Sequence, residues 1–256
     1  MSLAAALSPY CARVPTDSQD PTEVLWELDE LARAHRLGDW MFEQFSPKVG
    51  PRAAEVGAGV GTFSGRLLDA GVEDLLLVEP HAECVDRLAR RFEHDDRVRA
   101  VAEELPLAPT LAEGSFDFVL CQNVLEHIEA HEAAVNAMAE ALRPGGHLGL
   151  LVPAHPRLFG RLDRAFGHHR RYTRDVLERL VSGAQPRLEL VDLYSFNLLG
   201  VAGWVVANRR RTPSIGSGSL RAYELLVRPW RRLERRVRPP WGLSLIAIAR
   251  RAPEES

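Results

Sequence analysis

The chain of 256 residues has a formal net charge of −3, with 46% hydrophobic and 26% charged residues, a balance that suits a folded globular protein and excludes extended disorder. Three cysteines, Cys11, Cys84 and Cys121, stand too far apart for a disulfide framework or a paired-thiolate zinc cluster. No apolar run approaches the roughly 20 residues that span a bilayer, and the opening MSLAAALSPYC lacks the basic flank of a signal peptide, so the expected location is cytoplasmic or peripheral at the inner membrane surface.

Residues 22–46 predict two helices, the first TEVLWELDELARAH with apolar positions at Val24, Leu25, Leu28 and Leu31, the second centred on Trp40 to Phe45. After Gly50 and Pro51 the pattern becomes rhythmic. Short apolar runs begin at Ala53, Asp74, Val98, Phe116 and His147, most of them separated by helical stretches: Thr62 to Ala70, His81 to Phe92, and His131 to Gly146 with Pro144 and Gly145 as its stop. That alternation predicts a parallel sheet covered on both faces. A further helix runs from Thr173 to Ser182, and RLELVDLYSF from Arg187 and GLSLIAIAR from Gly242 supply the last two strands. The fold class is therefore α/β, a doubly wound, mostly parallel sheet of seven strands. Residues 1–50 form an N-terminal helical lid, 51–194 with 241–251 the core, and 195–240 a helical basic insertion before the last strand.

The first strand runs into EVGAGVG, Glu55 to Gly61, and then into a helix. Glycine lacks the side chain that keeps a ligand off the backbone, so such a turn suits a nucleotide-like cofactor. Glu79 follows 22 residues after Gly57, at the end of the next strand, where a carboxylate can accept from two ribose hydroxyls. A dinucleotide fingerprint would be GxGxxG; here Thr62 occupies the place of its last glycine, which disfavours a nicotinamide cofactor.

Over roughly Ala53 to Leu190 the order of motifs resembles the class I S-adenosylmethionine-dependent methyltransferases, in particular small-molecule types similar to the ubiquinone-biosynthesis enzymes. EVGAGVG is similar to the family's first motif, LLLVEP to the segment with its ribose-binding acid, AEELPLA from Ala102 to its adenine-side loop, FDFVLCQNVLEHI from Phe116 to its fourth motif, and LRPGGHLGLLVP from Leu142 to its fifth strand. The resemblance implies a Rossmann-like fold with S-adenosylmethionine held by Glu55, Gly57, Gly59, Gly61, Glu79, Pro80, Ala102, Glu103 and Gln122. One departure is Val101, where many relatives carry an aspartate. The adenine amino group then meets Glu103 or backbone carbonyls, although Glu103 and Glu104 also suit a solvated loop.

Methyl transfer requires alignment of nucleophile, methyl and sulfur and, for a hydroxyl acceptor, a base. His127 in LEHI, His155 in VPAHP and His169 in GHHRRYT lie at expected strand ends and are the candidate bases; His127 equally suits a loop-holding role, His155 an exposed loop and His169 a solvated basic turn. The GHHRRYT segment also offers His168, Arg170, Arg171 and Tyr172 to an acceptor, with the adjacent arginines suited to an anionic group. No ligand spacing in these segments implies a metal.

Between Arg209 and Arg238, ten arginines face two glutamates, Glu224 and Glu234, a local charge of +8 against −11 in the remainder. With Trp204, Leu225, Val227 and Trp230 interspersed, this segment suits a cap or a homo-oligomer contact, or a helix at an anionic membrane surface. QNVL at Gln122 to Leu125 differs from the Asn/Asp-Pro-Pro-aromatic motif of enzymes that methylate base amino groups, so nucleic acid is disfavoured. The expected function is methyl transfer to a small-molecule or lipid-linked, anionic acceptor, with oxygen favoured. The alternatives are a catalytically silent binding module and an RNA methyltransferase.

Overall fold

The computed structural model describes residues 34–112, 115–209 and 217–253. Cys11 and residues 22–33 of the first expected helix lie outside them, as do residues 210–216 of the basic insertion. The described part of the second expected helix is α1, His35–Glu43.

Seven strands form one sheet: β1 (Arg52–Val56), β2 (Asp74–Val78), β3 (Val98–Val101), β4 (Phe116–Gln122), β5 (Leu142–Pro153), β6 (Leu188–Phe196) and β7 (Ser244–Arg251), in the spatial order β3-β2-β1-β4-β5-β7-β6. Strands β1 to β5 pair in parallel, whereas β7 runs antiparallel to both neighbours. The order reverses at β1 and β4, so their carboxyl ends open the crevice where doubly wound sheets bind ligands.

The helices divide between the faces. On one face lie α4 (Pro109–Ala112), α5 (His131–Ala141) and α7 (Arg174–Ser182), packing Leu111, Val135, Met138 and Leu177 onto Val119, Leu148 and Ala247. On the other lie α1, α2 (Ser64–Asp69) and α3 (Ala82–Arg91), with Trp40, Phe45, Leu67 and Leu88 against Leu75, Phe118 and Ile246. The central strands are thus buried on both sides, which is why the runs of β1, β2, β4 and β5 are largely apolar and do not alternate, whereas the edge strand β3 is only partly buried. Phe45 and Trp40 are completely buried, so the described part of the expected N-terminal lid is a core element, each of these rings contributing roughly 2–3 kcal/mol by area.

The helix expected over His131 to Gly146 stops at Ala141. Leu142 is already extended (ψ 143°), and Gly145, at φ +81°, sits in the irregular start of β5, where the register to β4 shifts. The Pro144-Gly145 pair therefore shapes a strand entry, not a helix stop. Thr173 caps α7 as expected, its Oγ1 accepting from Val176 N at 3.3 Å.

A short helix, α6 (Arg161–Ala165), follows β5. Between β6 and β7 the chain forms α8 (Leu198–Arg209) and α9 (Ser217–Val237). The α9 helix is tied to the body: Glu224 accepts from the backbone N–H groups of Arg36 and Leu37, Arg231 and Arg235 pair with Glu43, and Val227 and Trp230 join the core beneath α1.

Candidate active site

One side of the crevice is built from backbone. Gly57, Gly59 and Gly61 all have positive φ (+73°, +53° and +81°), a conformation that side chains rarely adopt. The turn is pinned by Gly57 N to Val78 O (2.8 Å) and Gly61 N to Ala58 O (2.8 Å). A Cβ on Gly57 would lie 2.3 Å from Val124 Cγ2, so this glycine lets the turn after β1 nest against the turn after β4; a Cβ on Gly59 would meet nothing within 4 Å, so that face of the loop is open.

Glu79, only 1% exposed, ends β2 and accepts the amide of Gly59 at 2.9 Å and the ring Nδ1 of His81 at 2.6 Å. The carboxylate so clasps the glycine loop from the neighbouring strand. Pro80 follows half-buried, and Ala102 lies exposed just past β3. Gln122, at the end of β4, is buried with neither its amide nitrogen nor its oxygen hydrogen-bonded, and His81 Nε2 is likewise without a partner. Unsatisfied buried polar atoms next to an open glycine loop fit a polar ligand with donors and acceptors of its own. Glu55, beneath the turn, accepts from Ser64 Oγ at 2.6 Å and is pushed up to about 8, chiefly by burial, so it stands protonated at neutral pH.

Beyond Val124 the chain makes a single 3-10 turn, Leu125–His127, and this turn meets the GHHRRYT segment. Glu126 is completely buried, and His169 N donates to its backbone oxygen at 2.9 Å. The rings of His127 and His168 meet edge to face, 4.7 Å between centroids. Asp163 of α6 accepts from His168 Nδ1 (2.9 Å), Arg171 Nε (2.6 Å) and Gly160 N (2.7 Å), and although burial opposes its ionisation, these donors hold its carboxyl below the usual range. Desolvation, aided by His168 and His169, lowers His127 to about 3, so its ring is neutral and a weak base. His155, at φ +60°, stacks on Trp241 at 4.5 Å; its buried Nε2 has no partner, and burial followed by Arg171 lowers its pKa.

Residues 54–150 match a family described as the methyltransferase domain. Over 158 residues the chain is 31% identical to an uncharacterized protein of Mycobacterium tuberculosis, covering 58% of this chain and 53% of that one. Over 121 residues it is 35% identical to the tRNA U34 carboxymethyltransferase of Pseudomonas aeruginosa, covering 44% and 36%. The chain spans about half the length, or less, of the curated relatives it matches. In fold it is similar to the N-methyltransferase NodS of Bradyrhizobium japonicum solved with S-adenosyl-L-homocysteine, with a TM-score of 0.53 over 93% of this chain and 94% of that one at 15% identity. Residues 54–150 thus match a methyltransferase domain, and the chain shares its fold with solved methyltransferases. The seven-stranded order with an antiparallel β7 is the fold that the methyltransferase motifs implied.

Several expected site residues take other positions. Arg170 and Arg171 do not form a paired anion clamp. Arg171 is buried on Asp163, donates to Ala154 O at 3.0 Å and lies over the Trp204 ring at 4.4 Å; Arg170 donates to the backbone oxygens of Ile128 (2.7 Å) and Glu129 (3.1 Å). Tyr172 is fully buried, its hydroxyl donating to Leu125 O at 3.1 Å and lying 3.1 Å from His131 Nδ1. These residues fasten the segment to the core, because the chain must pass between β5 and α7 there. Glu103 is turned to Thr110, where both its oxygens accept from the N–H at 3.0–3.1 Å and one takes the hydroxyl, so it caps α4 and does not face the crevice.

Sequence reasoning missed Glu126, Asp163 and His81. Glu126 and His127 stand out as adjacent ionisable residues in an apolar motif, a signal of burial; Asp163 gives no signal, because its partners lie five and eight residues away in an irregular segment. A cavity of about 520 Å³, lined in part by His155, Thr173, Asp192, Tyr194 and Arg238, opens beside β6.

Proposed function

We propose that the protein transfers a methyl group from S-adenosylmethionine to a hydroxyl of a small-molecule or lipid-linked acceptor. The observation that carries this reading is the Glu79 carboxylate on the Gly59 amide beside the open face of Gly59 and the unpartnered Gln122 amide. When bound, the donor supplies an electrophilic methyl on a sulfonium that leaves as a neutral thioether. Gly57, Gly59 and Gly61 hold its methionine and ribose edge against backbone, Glu79 accepts the ribose hydroxyls in place of one of its present donors, and Pro80, Ala102 and Gln122 border the rest. Glu55 supports the turn from below through Ser64.

On the acceptor side, His155 is our choice of base, since its Nε2 is buried and unpartnered and its ring is braced on Trp241. His127, a weak base, orients the acceptor, and exposed His169 borders the entrance. Phe166, Trp204 and Trp241 offer flat apolar surface to the body of the acceptor. The acceptor group is neutral in this reading, because Arg171 is already paired and Arg170 is committed to backbone oxygens.

No helix among the described residues is long and apolar enough to cross a membrane. Exposed Leu225, Leu226, Leu233 and Val237 on α9, beside Arg228, Arg232 and Arg236, suit a contact with a second copy or with an anionic membrane surface, which supports a cytoplasmic or inner-surface location. The P. aeruginosa relative supports a second reading, a tRNA acceptor. The arginines Arg231 and Arg235 that would bind its phosphates are engaged by Glu43.

The experiment is incubation of the protein with isotopically methyl-labelled donor and fractionated cell extract, with mass spectrometry of labelled products. We expect a labelled, base-stable ether in the organic-soluble fraction. Label confined to RNA would select the second reading, and no label with intact donor binding would select a silent binding module.

A further inference from the structure

Glu126 takes no part in the proposed transfer, yet the fold invests in it. It is 1% exposed, and neither carboxylate oxygen has a hydrogen-bond partner. Burying a carboxyl without a partner is costly, by several kcal/mol when it is ionised, so a cation at this point would stabilise the arrangement. The nearest positive candidate, His168 Nε2, lies 4.0 Å from Glu126 Oε1. That is too long for a hydrogen bond. It lies at the upper edge of the separation of two ligands on one ion, since metal–ligand bonds of roughly 2.0–2.2 Å set neighbouring ligand atoms roughly 3–4 Å apart, so binding would draw the two side chains slightly together.

His127 completes the group: one ligand atom from each of Glu126, His127 and His168 lies within 4.8 Å of the other two. The outer contacts match a ligand role. Asp163 accepts from Nδ1 of His168, which places the proton there and leaves the lone pair on Nε2, the nitrogen that faces Glu126. Arg171 and the Gly160 amide fix Asp163 in turn, so the imidazole is held on both sides.

We propose that Glu126, His127 and His168 bind one divalent transition-metal ion of the zinc class. Two imidazoles with one carboxylate favour Zn²⁺ or Co²⁺ over Mg²⁺, which prefers oxygen ligands. Three protein ligands leave room for a water or an acceptor oxygen on the ion. That last point rests on the methyl-transfer reading; metal binding itself does not.

The test uses the full chain, stripped with chelator and titrated with Co²⁺, followed by its visible d–d absorption and by metal content from atomic emission, with Zn²⁺ as competitor. One Co²⁺ per chain, displaced by Zn²⁺, is expected. Affinity should fall tenfold or more in Glu126→Gln, His127→Ala and His168→Ala and by about 10–100-fold in Asp163→Asn, with no change in His94→Ala, whose ring is solvent-exposed. Metal content well below one equivalent in the wild type, or unchanged affinity in the folded His168→Ala variant, overturns the site. Should the variants not fold, X-ray absorption of the Zn²⁺-loaded wild type decides, since a shell without two imidazole nitrogens overturns it equally. Calorimetry of donor binding on the same samples separates the two readings: metal without donor defeats methyl transfer alone, and donor without metal defeats the metal site alone.

Discussion

The glycine turn and the Glu126–His168 wall meet at Val124, but they are made of different material. The turn is backbone, shaped by positive φ at its glycines and pinned by neighbouring strands within some 20 residues of chain. The wall is side chains, drawn from the 3-10 turn after β4, from α6 and from the segment before α7, most of them buried and tied to one another through Asp163. A site built from backbone is broken by adding atoms. One built from side chains is broken by removing them, and it fails at distant points of the network.

The largest expected effect lies in the wall. Arg171→Ala leaves Asp163 buried without its cation, and we expect a loss of about 3–5 kcal/mol in unfolding free energy by denaturant titration, with a concurrent rearrangement of His168. A loss under about 1 kcal/mol would show that the wall is not a coupled network. In the turn, Gly57→Val adds a side chain that collides with Val124 and opposes φ +73°; donor affinity by calorimetry should fall on the order of 100-fold or more, equivalent to about 3 kcal/mol. Glu79→Ala removes the clasp on Gly59, and the same measurement should show about a 10–100-fold loss, the equivalent of one or two charge-assisted hydrogen bonds. Unchanged affinity in both variants would remove the turn from the donor site.

Glu55 gives a pH handle on the turn. Its native pKa of about 8 lies above the unfolded 4.5, so between those values the unfolded state releases its proton first and stability falls as pH rises, by up to about 1.4 kcal/mol per pH unit. Glu55→Gln keeps an acceptor for Ser64 and removes the titration. Its melting temperature should exceed that of the wild type near pH 7 and converge with it near pH 4.5; parallel profiles would contradict a protonated Glu55. The smallest effect is expected at the edge of the wall, where Thr173→Ala removes the cap of α7 and should cost about 1 kcal/mol in thermal unfolding.

The legibility of the two regions follows from their construction. Sheet, turn and Glu79 could be read because strand periodicity, glycine and a fixed spacing are local properties of the chain, and β1 to β5 appear where their apolar runs lie. The helix over His131 was read five residues too long because an apolar Leu142 continues either a helix or a buried strand, and only pairing with β4 decides between them. Arg170 and Arg171 suggest a pair for one anionic group because sequence gives adjacency and not direction; the segment's passage between β5 and α7 turns one inward to Asp163 and the other along a loop.

The sequence by itself determined the glycine turn, the order of motifs that resembles the methyltransferases and the alternation of layers, since these are encoded in residues near one another along the chain. The tertiary structure alone decided that Glu126, some 40 residues before His168, is buried beside it, and that Asp163 holds both His168 and Arg171. The physical reason is that an ionisable group acquires its partners, its burial and its proton from whatever packs around it, and packing is settled only when distant segments close over the same space.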